Sequence, residues 1–297
     1  MFHEPVMPEE ALELLAVRPD GCYIDATAGL GGHTARIAQR LTTGTVIAND
    51  RDVESLELAR RNAAEWTSRI CFHHGTFGSL PEALSQAGFA KADGLLADLG
   101  VSRYQLTAPE RGFSLMNDGP LDMRMDRSGG ATAADLVNHM PEMKLARIIE
   151  ELGEERRCGQ RIARAIVRAR PIRSTRHLAD VVSGAVPRTG RLHPATKTFM
   201  SLRLATNDEP AELERLLRIG PSLLKPGGRM VVIAFMSSDD RQVKLRFREL
   251  GAGGRALVLT KHPLQPTREE AIRNPASRSA KLRALEMISG AGDAACP

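Results

Sequence analysis

A glycine-rich turn between two patterned segments is the feature that most constrains what this chain can fold into. The turn spans residues 25–33 and reads DATAGLGGH. The apolar residues 22–24 before it favour a β-strand, and residues 34–41 after it have the spacing of a helix. Such a turn lets the backbone approach a ligand closely, and the helix start offers free N–H groups to polar ligand atoms.

An acidic residue after the second predicted strand indicates that the ligand is a nucleoside. The apolar run 45–49 ends at Asp50, where a carboxylate can accept both hydroxyls of a ribose. Thr34 stands where the dinucleotide pattern needs its third glycine, so NAD is disfavoured, although it stays an alternative. Asp25, directly before the turn, suits the cationic amino-acid end of S-adenosylmethionine better than a pyrophosphate. A turn that only closes an ordinary βα unit is the other alternative at this point.

The composition is that of a soluble globular protein, with 297 residues, 42% of them hydrophobic and 26% charged. The net charge of +5 is compatible with a nucleic-acid partner but does not establish one. The four cysteines are scattered and the eight histidines form no H-E-x-x-H set, so we expect reduced thiols and no metal site. With no signal peptide and no apolar stretch near the roughly 18 residues that span a bilayer, we expect a cytoplasmic protein without a membrane partner.

Short apolar runs alternate with helical patterns in the first hundred residues. Strands are predicted at 22–25, 45–49, 69–73 and 94–98, and helices at 8–15, 34–41, 52–65 and 81–87. This alternation predicts an α/β fold with a parallel, doubly wound sheet.

A long interval without strands then separates the fourth strand from the fifth. The fifth strand is predicted at 229–235, roughly 130 residues later, which is far more than one crossover needs. We therefore predict an inserted all-helical domain at 105–200 and a discontinuous cofactor-binding domain made of 1–104 and 201–297. A last strand is predicted at 256–260, and the small, polar tail 290–297 is expected to be frayed.

Four side chains at or just beyond strand ends are expected to converge, because ligands of open parallel sheets bind at the carboxyl ends of the strands. They are Asp25, Asp50, Phe77 and Asp98. Each has an ordinary alternative: Phe77 as a core residue rather than a stacking partner for a purine, Asp50 as a cap for the next helix, and Asp98 as a cap for its turn. A shared ligand site therefore requires all four side chains to converge.

A run of arginines in the predicted insertion is spaced four, three and four residues apart, as expected for one face of a helix. These residues are Arg157, Arg161, Arg164 and Arg168. The pattern favours a ridge that binds phosphates. A solvated face paired with the neighbouring glutamates is equally compatible with it, and those glutamates are Glu150, Glu151, Glu154 and Glu155.

Several segments together resemble one family, the bacterial small-subunit ribosomal RNA (cytosine-N4)-methyltransferases, along the whole chain. The most specific of them is the run DGPLDMRMD at 118–126. The others are HEPVM at 3–7, the turn at 29–33, DLGVS at 98–102, ERGFS at 110–114, GEER at 153–156, HPATKTF at 193–199, and NP with SRSAKLR at 274–283.

The resemblance implies a class I methyltransferase fold, which is a Rossmann-like doubly wound sheet, with an inserted helical domain for RNA recognition. It also implies that S-adenosylmethionine methylates N4 of a cytosine near the decoding centre of the assembled small subunit. Together with the turn, motif matches assign the cofactor to Asp25, Gly29, Gly31, Gly32, His33, Asp50, Phe77, Asp98 and Gln105. Asp98 is also the expected catalytic acceptor for the amine, and the expected RNA contacts are Arg111, Arg124, Arg157, Arg161, Arg164, Arg168 and Lys197.

Two departures from the family pattern keep other functions open. Residues 102–106 read SRYQL where the family usually has SSPQL, so Gln105 is retained in an altered loop. Met236 replaces the histidine of the family segment FHSLEDR. This loss motivates two alternatives to the normal reaction, which are a slower enzyme or one that acts on a different base, and a ribosome-assembly or RNA-binding protein that keeps the fold without catalysis. An NAD-dependent dehydrogenase is the least favoured alternative.

Overall fold

The computed structural model describes residues 5–153, 155, 157–188 and 192–288. The expected frayed tail, Cys296, and the motif residues His3, Glu4, Glu154 and Arg156 lie outside the described residues. The chain divides into two compact units, one formed by residues 1–100 with 211–297 and the other by residues 101–210. The boundaries at 105 and 200 that the sequence analysis gave for the insertion fall within the second unit.

The chain begins with α1 (Pro8–Leu15), β1 (Cys22–Asp25), α2 (Gly32–Arg40), β2 (Thr45–Asp50), α3 (Val53–Asn62), β3 (Ile70–His74), α4 (Leu80–Gln86) and β4 (Ala92–Asp98). The second unit contains α5 (Arg103–Thr107), α6 (Ala133–His139), α7 (Glu142–Glu151), α8 (Gly159–Arg168), α9 (Thr175–Ala185) and α10 (Thr196–Asn207). The chain ends with α11 (Glu209–Ile219), β5 (Leu224–Ala234), α12 (Ser237–Ala252), β6 (Ala256–Val258), α13 (Arg268–Arg273) and β7 (Lys281–Met287).

The described strands form one sheet in the order β3-β2-β1-β4-β5-β7-β6. The strands from β1 to β5 are parallel, and β1 pairs with both β2 and β4. The strand order therefore reverses at β1, and the reversal point of such a sheet is where ligands bind. The predicted class I methyltransferase fold is confirmed.

The predicted parallel arrangement holds from β1 to β5 but not at one edge of the sheet. β7 runs antiparallel to β5 and to β6, so residues 256–260 do not form the last strand. β7 was not predicted from the sequence because its charged residues interrupt the apolar pattern of a strand. Arg283 of this strand is nevertheless buried, since its Nε donates a 2.6 Å hydrogen bond to the Asp240 carboxylate on α12.

Side chains on the two faces of the sheet enter two different cores, because successive residues of a strand point to opposite faces. Ile24, Leu95 and Val232 pack on the face covered by α4, α11 and α12, while Tyr23 and Leu96 pack on the face covered by α1, α2 and α3. The second unit has its own core, formed by apolar residues from α6 to α10.

The helix predicted at 52–65 is shorter in the structure. Asp52 caps α3 by accepting hydrogen bonds from the Glu54 and Ser55 N–H groups, and the helix ends at Asn62 before a 3₁₀ turn. Within the described ranges, no helix is long and apolar enough to cross a membrane. The same ranges contain no group of three or more His, Cys, Asp or Glu side chains that could hold a metal ion.

Candidate active site

The glycine turn leads directly into α2 at the reversal point of the sheet. Gly29 and Gly31 have φ angles of +52° and +84°, which are left-handed conformations that glycine adopts without steric cost. A Cβ atom at Gly31 would also lie 3.0 Å from the Ala59 Cα atom of α3. Glycine therefore allows the turn both to bend and to pack closely against α3.

Asp25 lies beneath this turn rather than on its surface. The carboxylate is buried, and it accepts a 2.6 Å hydrogen bond from the Thr34 hydroxyl and a 3.2 Å bond from the Thr27 N–H. Burial raises the pKa of Asp25, while nearby His33 and these hydrogen bonds act to lower it. Its expected direct contact with a ligand is therefore replaced by support of the turn from below. Thr34, which counted only as a missing glycine in the sequence, is part of this support.

Asp50 joins the end of β2 to the turn. Its carboxylate accepts a 2.7 Å hydrogen bond from the Gly29 N–H and a 2.8 Å bond from the Asp52 N–H. Burial raises the pKa of Asp50 to about 6, although the residue keeps a partly exposed edge. Since Asp52 caps α3, Asp50 is left with lone pairs that can accept ribose hydroxyls.

Asp98 and His33 bring unpaired polar atoms to the same place. The His33 Nε2 atom lies 3.7 Å from an Asp98 carboxylate oxygen, and the Asp98 N–H donates a 2.7 Å hydrogen bond to the Thr27 hydroxyl. Both ring nitrogens of His33 and the Asp98 Oδ1 atom are buried without a hydrogen-bond partner among the described residues. Buried polar atoms are normally paired, so these three atoms indicate a site for a polar ligand.

Phe77 follows β3 at the same edge of the sheet. It begins a 3₁₀ turn at Phe77–Ser79, its side chain is half-buried against the core, and its N–H donates to the Glu212 carboxylate at 3.2 Å. The neighbouring Gly75 N–H donates a 2.9 Å hydrogen bond to the Asp50 carbonyl oxygen. The loop that carries Phe77 is thus hydrogen-bonded to the backbone of Asp50.

The residues of this edge fit S-adenosylmethionine. The unpaired atoms of His33 and Asp98 can bond its polar groups, and the exposed edge of Asp50 can accept its ribose hydroxyls. Phe77 offers an aromatic ring for its adenine. The Gly32 N–H lies in the first turn of α2, where helix N–H groups lack intrahelical acceptors.

Gln105 lies in the second unit, on the short helix α5. Its backbone N–H donates to the Ser102 hydroxyl at 3.2 Å, while its side-chain oxygen accepts from the Ser102 N–H at 2.8 Å. This reciprocal capping box holds the altered SRYQL loop in a defined helix start. A contact between Gln105 and the cofactor stays a prediction.

The guanidinium groups of Arg111 and Arg124 are both bonded within the second unit, so they are not free for RNA as expected. Arg111 is fully buried and donates hydrogen bonds to the Arg124 and Met125 carbonyl oxygens. Arg124 makes a bidentate pair with Asp122, at 2.7 and 3.0 Å. Asn207, which the sequence analysis missed, bonds the same loop at Met125 N–H. These contacts shape the DGPLDMRMD segment.

The other predicted RNA contacts are more accessible. Arg161, Arg164 and Arg168 are exposed on α8, opposite its buried apolar face. Arg157 is also exposed, but it precedes the helix, so the prediction of one helical face is wrong for this residue. Arg164 lies 3.4 Å from Glu142 and Lys197 lies 3.5 Å from Glu155, so both have a carboxylate neighbour.

Comparisons with known proteins match nearly the whole chain to one family. A model of the MraW methylase family matches residues 1–288. A "Ribosomal RNA small subunit methyltransferase H" from Solibacter usitatus is 74% identical over 286 residues, which cover 96% of this chain and all of that relative. Relatives of the same name from Acidobacterium capsulatum and Pelobacter propionicus are 50% and 48% identical, each over 96% of this chain and 98% of the relative. The chain therefore belongs to the MraW methylase family.

Proposed function

We propose that this protein transfers the methyl group of S-adenosylmethionine to N4 of a cytosine in small-subunit ribosomal RNA, near the decoding centre. The protein is an S-adenosylmethionine-dependent methyltransferase by family. The observation that carries the assignment of the reacting group is the Asp98 carboxylate, whose buried Oδ1 atom has no partner among the described residues. This oxygen lies at the end of β4, beside His33 and the glycine turn.

The cofactor supplies an electrophilic methyl group on a sulfonium. Asp50 would accept its ribose hydroxyls, and Phe77 would contact one face of its adenine. His33 and the first N–H groups of α2 would bond polar atoms of its amino-acid end. Buried Asp25 would hold the turn in place through its hydrogen bonds to Thr27 and Thr34. The chain thereby fixes the donor in one orientation, and such positioning can contribute up to ~7–11 kcal/mol to catalysis.

Asp98 would orient the target amine. The N4 lone pair is delocalised into the cytosine ring, so the amine is a poor nucleophile. A carboxylate that accepts one N4 hydrogen can aim the lone pair at the methyl carbon. The N–C bond would form as the C–S bond of the donor breaks, with the bonding electron pair left on sulfur. The methylated amine would then release its proton to Asp98 or to water. The cytosine must leave its stack to be reached.

The second unit would recognise the RNA, and its charge supports this assignment. Residues 101–210 contain 18 Lys and Arg against 13 Asp and Glu, whereas the rest of the chain contains 23 of each. The whole net charge of +5 therefore belongs to the inserted unit. Exposed arginines on α8 are well suited to phosphates, because positive charge that displaces counterions dominates nucleic-acid affinity.

The test is incubation of the protein with methyl-labelled S-adenosylmethionine and either assembled small subunits or naked RNA. We expect label on the RNA of assembled subunits, at N4 of one cytosine. Assembled subunits are the form of this substrate that the protein would meet in the cytoplasm. The Asp98→Ala variant serves as the matched control. Unlabelled RNA despite tight subunit binding would contradict the proposal and favour the assembly-factor alternative. Label on a different base would contradict the assignment to N4.

A further inference from the structure

The loop that carries Phe77 is held by a helix that the sequence analysis did not connect with the site. The Glu212 carboxylate on α11 accepts a 3.2 Å hydrogen bond from the Phe77 N–H. Glu212 is only 8% exposed, and its neighbours Leu213 and Leu216 belong to the same apolar core against which the Phe77 ring packs. A carboxylate is therefore buried directly behind the aromatic residue.

The carboxylate is itself held by Arg215, one turn further along α11. The Arg215 guanidinium pairs with the second oxygen of Glu212. The arginine stem crosses Gly78, where a Cβ atom would lie 3.1 Å from the Arg215 Cδ atom. Gly78 thus leaves room for the arginine, and the pair fixes the loop from one side.

The other side of the loop is fixed to β2 and to itself. The Gly75 N–H donates to the Asp50 carbonyl oxygen at 2.9 Å, and the Ser79 hydroxyl donates to the Thr76 carbonyl oxygen at 2.8 Å. Phe77 therefore lies between an attachment to the strand that bears Asp50 and an attachment to Glu212. Moving either attachment would displace the ring relative to the ribose-binding carboxylate.

We propose that Glu212 is a positioning residue for the adenine of the cofactor, acting through the Phe77 backbone. The inference rests on the proposed function, because it assumes that Phe77 contacts adenine. Glu212 is buried, whereas the side chain of its partner Arg215 is 40% exposed, and a partly solvated pair of this kind contributes little net stability. Stability alone therefore does not account for a glutamate beside this apolar core. Its placement on the Phe77 N–H does account for it.

The experiment measures binding of S-adenosylhomocysteine to the full chain by calorimetry, in a double-mutant cycle. We expect Glu212→Ala to weaken binding about tenfold, as for loss of a hydrogen bond to a charged group. In a Phe77→Ala background the same substitution should cause no further loss. Glu212→Gln, which keeps an acceptor oxygen, should restore binding to within about threefold of wild type. Glu249→Ala, which removes the matching i,i+3 partner of Arg246 on α12, should leave binding unchanged.

The proposal would be overturned if Glu212→Ala reduced ligand affinity equally in the wild-type and Phe77→Ala backgrounds. It would also be overturned if Glu212→Gln bound the ligand as weakly as Glu212→Ala. If Glu212→Ala does not fold, Glu212→Asp withdraws the carboxylate while keeping its charge, and the same coupling is expected. A wild-type protein that does not bind the ligand would overturn this inference together with the proposed function. A protein that shows the coupling but labels no RNA would support the inference and contradict the proposed function.

Discussion

The Asp50 carboxylate accepts a 2.7 Å hydrogen bond from the Gly29 N–H, so the end of β2 holds the glycine turn in place. The same carboxylate is the expected acceptor for the ribose of the cofactor. Burial raises its pKa to about 6, which places its titration close to neutral pH. We therefore expect the geometry of the turn and the affinity for the cofactor to depend on the same ionisable group.

Affinity for S-adenosylhomocysteine should fall as the pH is lowered through about 6. The ionised Asp50 carboxylate only accepts hydrogen bonds, whereas the protonated form loses an acceptor position that a ribose hydroxyl needs. With a pKa of about 6, binding at pH 5 should be about tenfold weaker than at pH 7.5. Calorimetry across this range checks the slope. The Asp50→Asn variant should bind weakly at every pH, and an unchanged slope in that variant would assign the titration to another group.

Gly31→Ala should destabilise the protein more than Gly88→Ala. Both residues have a φ angle above +80°. Each substitution therefore places an alanine in a left-handed conformation, which costs about 1–2 kcal/mol. At Gly31 the new Cβ would also meet backbone of Ala59 at 3.0 Å, whereas at Gly88 no atom lies within 4 Å. Close contact adds roughly 1–3 kcal/mol. Denaturant unfolding measures the difference, and equal losses would show that α3 moves aside without cost.

Asp98→Ala should abolish methyl transfer while keeping measurable cofactor affinity. Loss of the acceptor leaves the amine unoriented, and we expect a decrease in kcat of at least about 10²-fold. Single-turnover labelling of RNA measures the rate, and calorimetry measures ligand affinity in the same preparation. Asp98→Asn retains one acceptor oxygen and should be intermediate. Full activity in the alanine variant would remove Asp98 from the mechanism.

Replacing Arg161, Arg164 and Arg168 together with glutamine should weaken RNA binding and reduce its salt dependence. Each phosphate contact contributes about 0.7–0.9 to the slope of log affinity against log salt, so the slope should fall by about 2–3. The matched control removes three charges from the first unit, at Arg36, Arg40 and Arg60, each of which pairs with a glutamate. Titrations at several salt concentrations compare the two triple variants. Equal slopes in both variants would show that the α8 arginines act only through the net charge of the protein.

Arg111→Met should lower stability without changing RNA affinity. The substitution leaves the Arg124 and Met125 carbonyl oxygens without their guanidinium donor, at a cost of roughly 2–4 kcal/mol. Thermal unfolding and RNA titration should separate this effect from that of Arg168→Met, which is expected to weaken RNA binding with little change in stability. A folded Arg111 variant with an RNA-specific defect would restore this residue to the binding surface.

The parallel strands could be predicted because each is an apolar run followed by a polar or glycine-containing segment, a pattern that depends on neighbours in sequence. β7 could not, because Arg283 is neutralised by Asp240, which lies 43 residues earlier in the chain. The carboxylates at the strand ends could be named, but their directions could not. Asp25 turns inward because the Thr34 hydroxyl bonds it, and nothing in the sequence specifies that choice.

The hydrogen bond from the Phe77 N–H to Glu212 could not be predicted from the sequence, for the same reason. Glu212 lies 135 residues after Phe77 and stands in an ordinary helical pattern. A glutamate at that position has no local feature that separates it from an exposed one. Arg111 shows the opposite error, since a basic residue in a polar loop suggests RNA contact, whereas burial assigns it to the loop interior.

The second unit interrupts the chain between β4 and β5, which are hydrogen-bonded neighbours in the sheet. Without residues 101–210, the path from β4 through α11 to β5 would be an ordinary crossover of the kind that joins parallel strands. The inserted unit can therefore change in length and sequence without a change in the pairing of β4 with β5. If the second unit recognises the RNA, as we propose, substrate choice can evolve independently of methyl-donor binding.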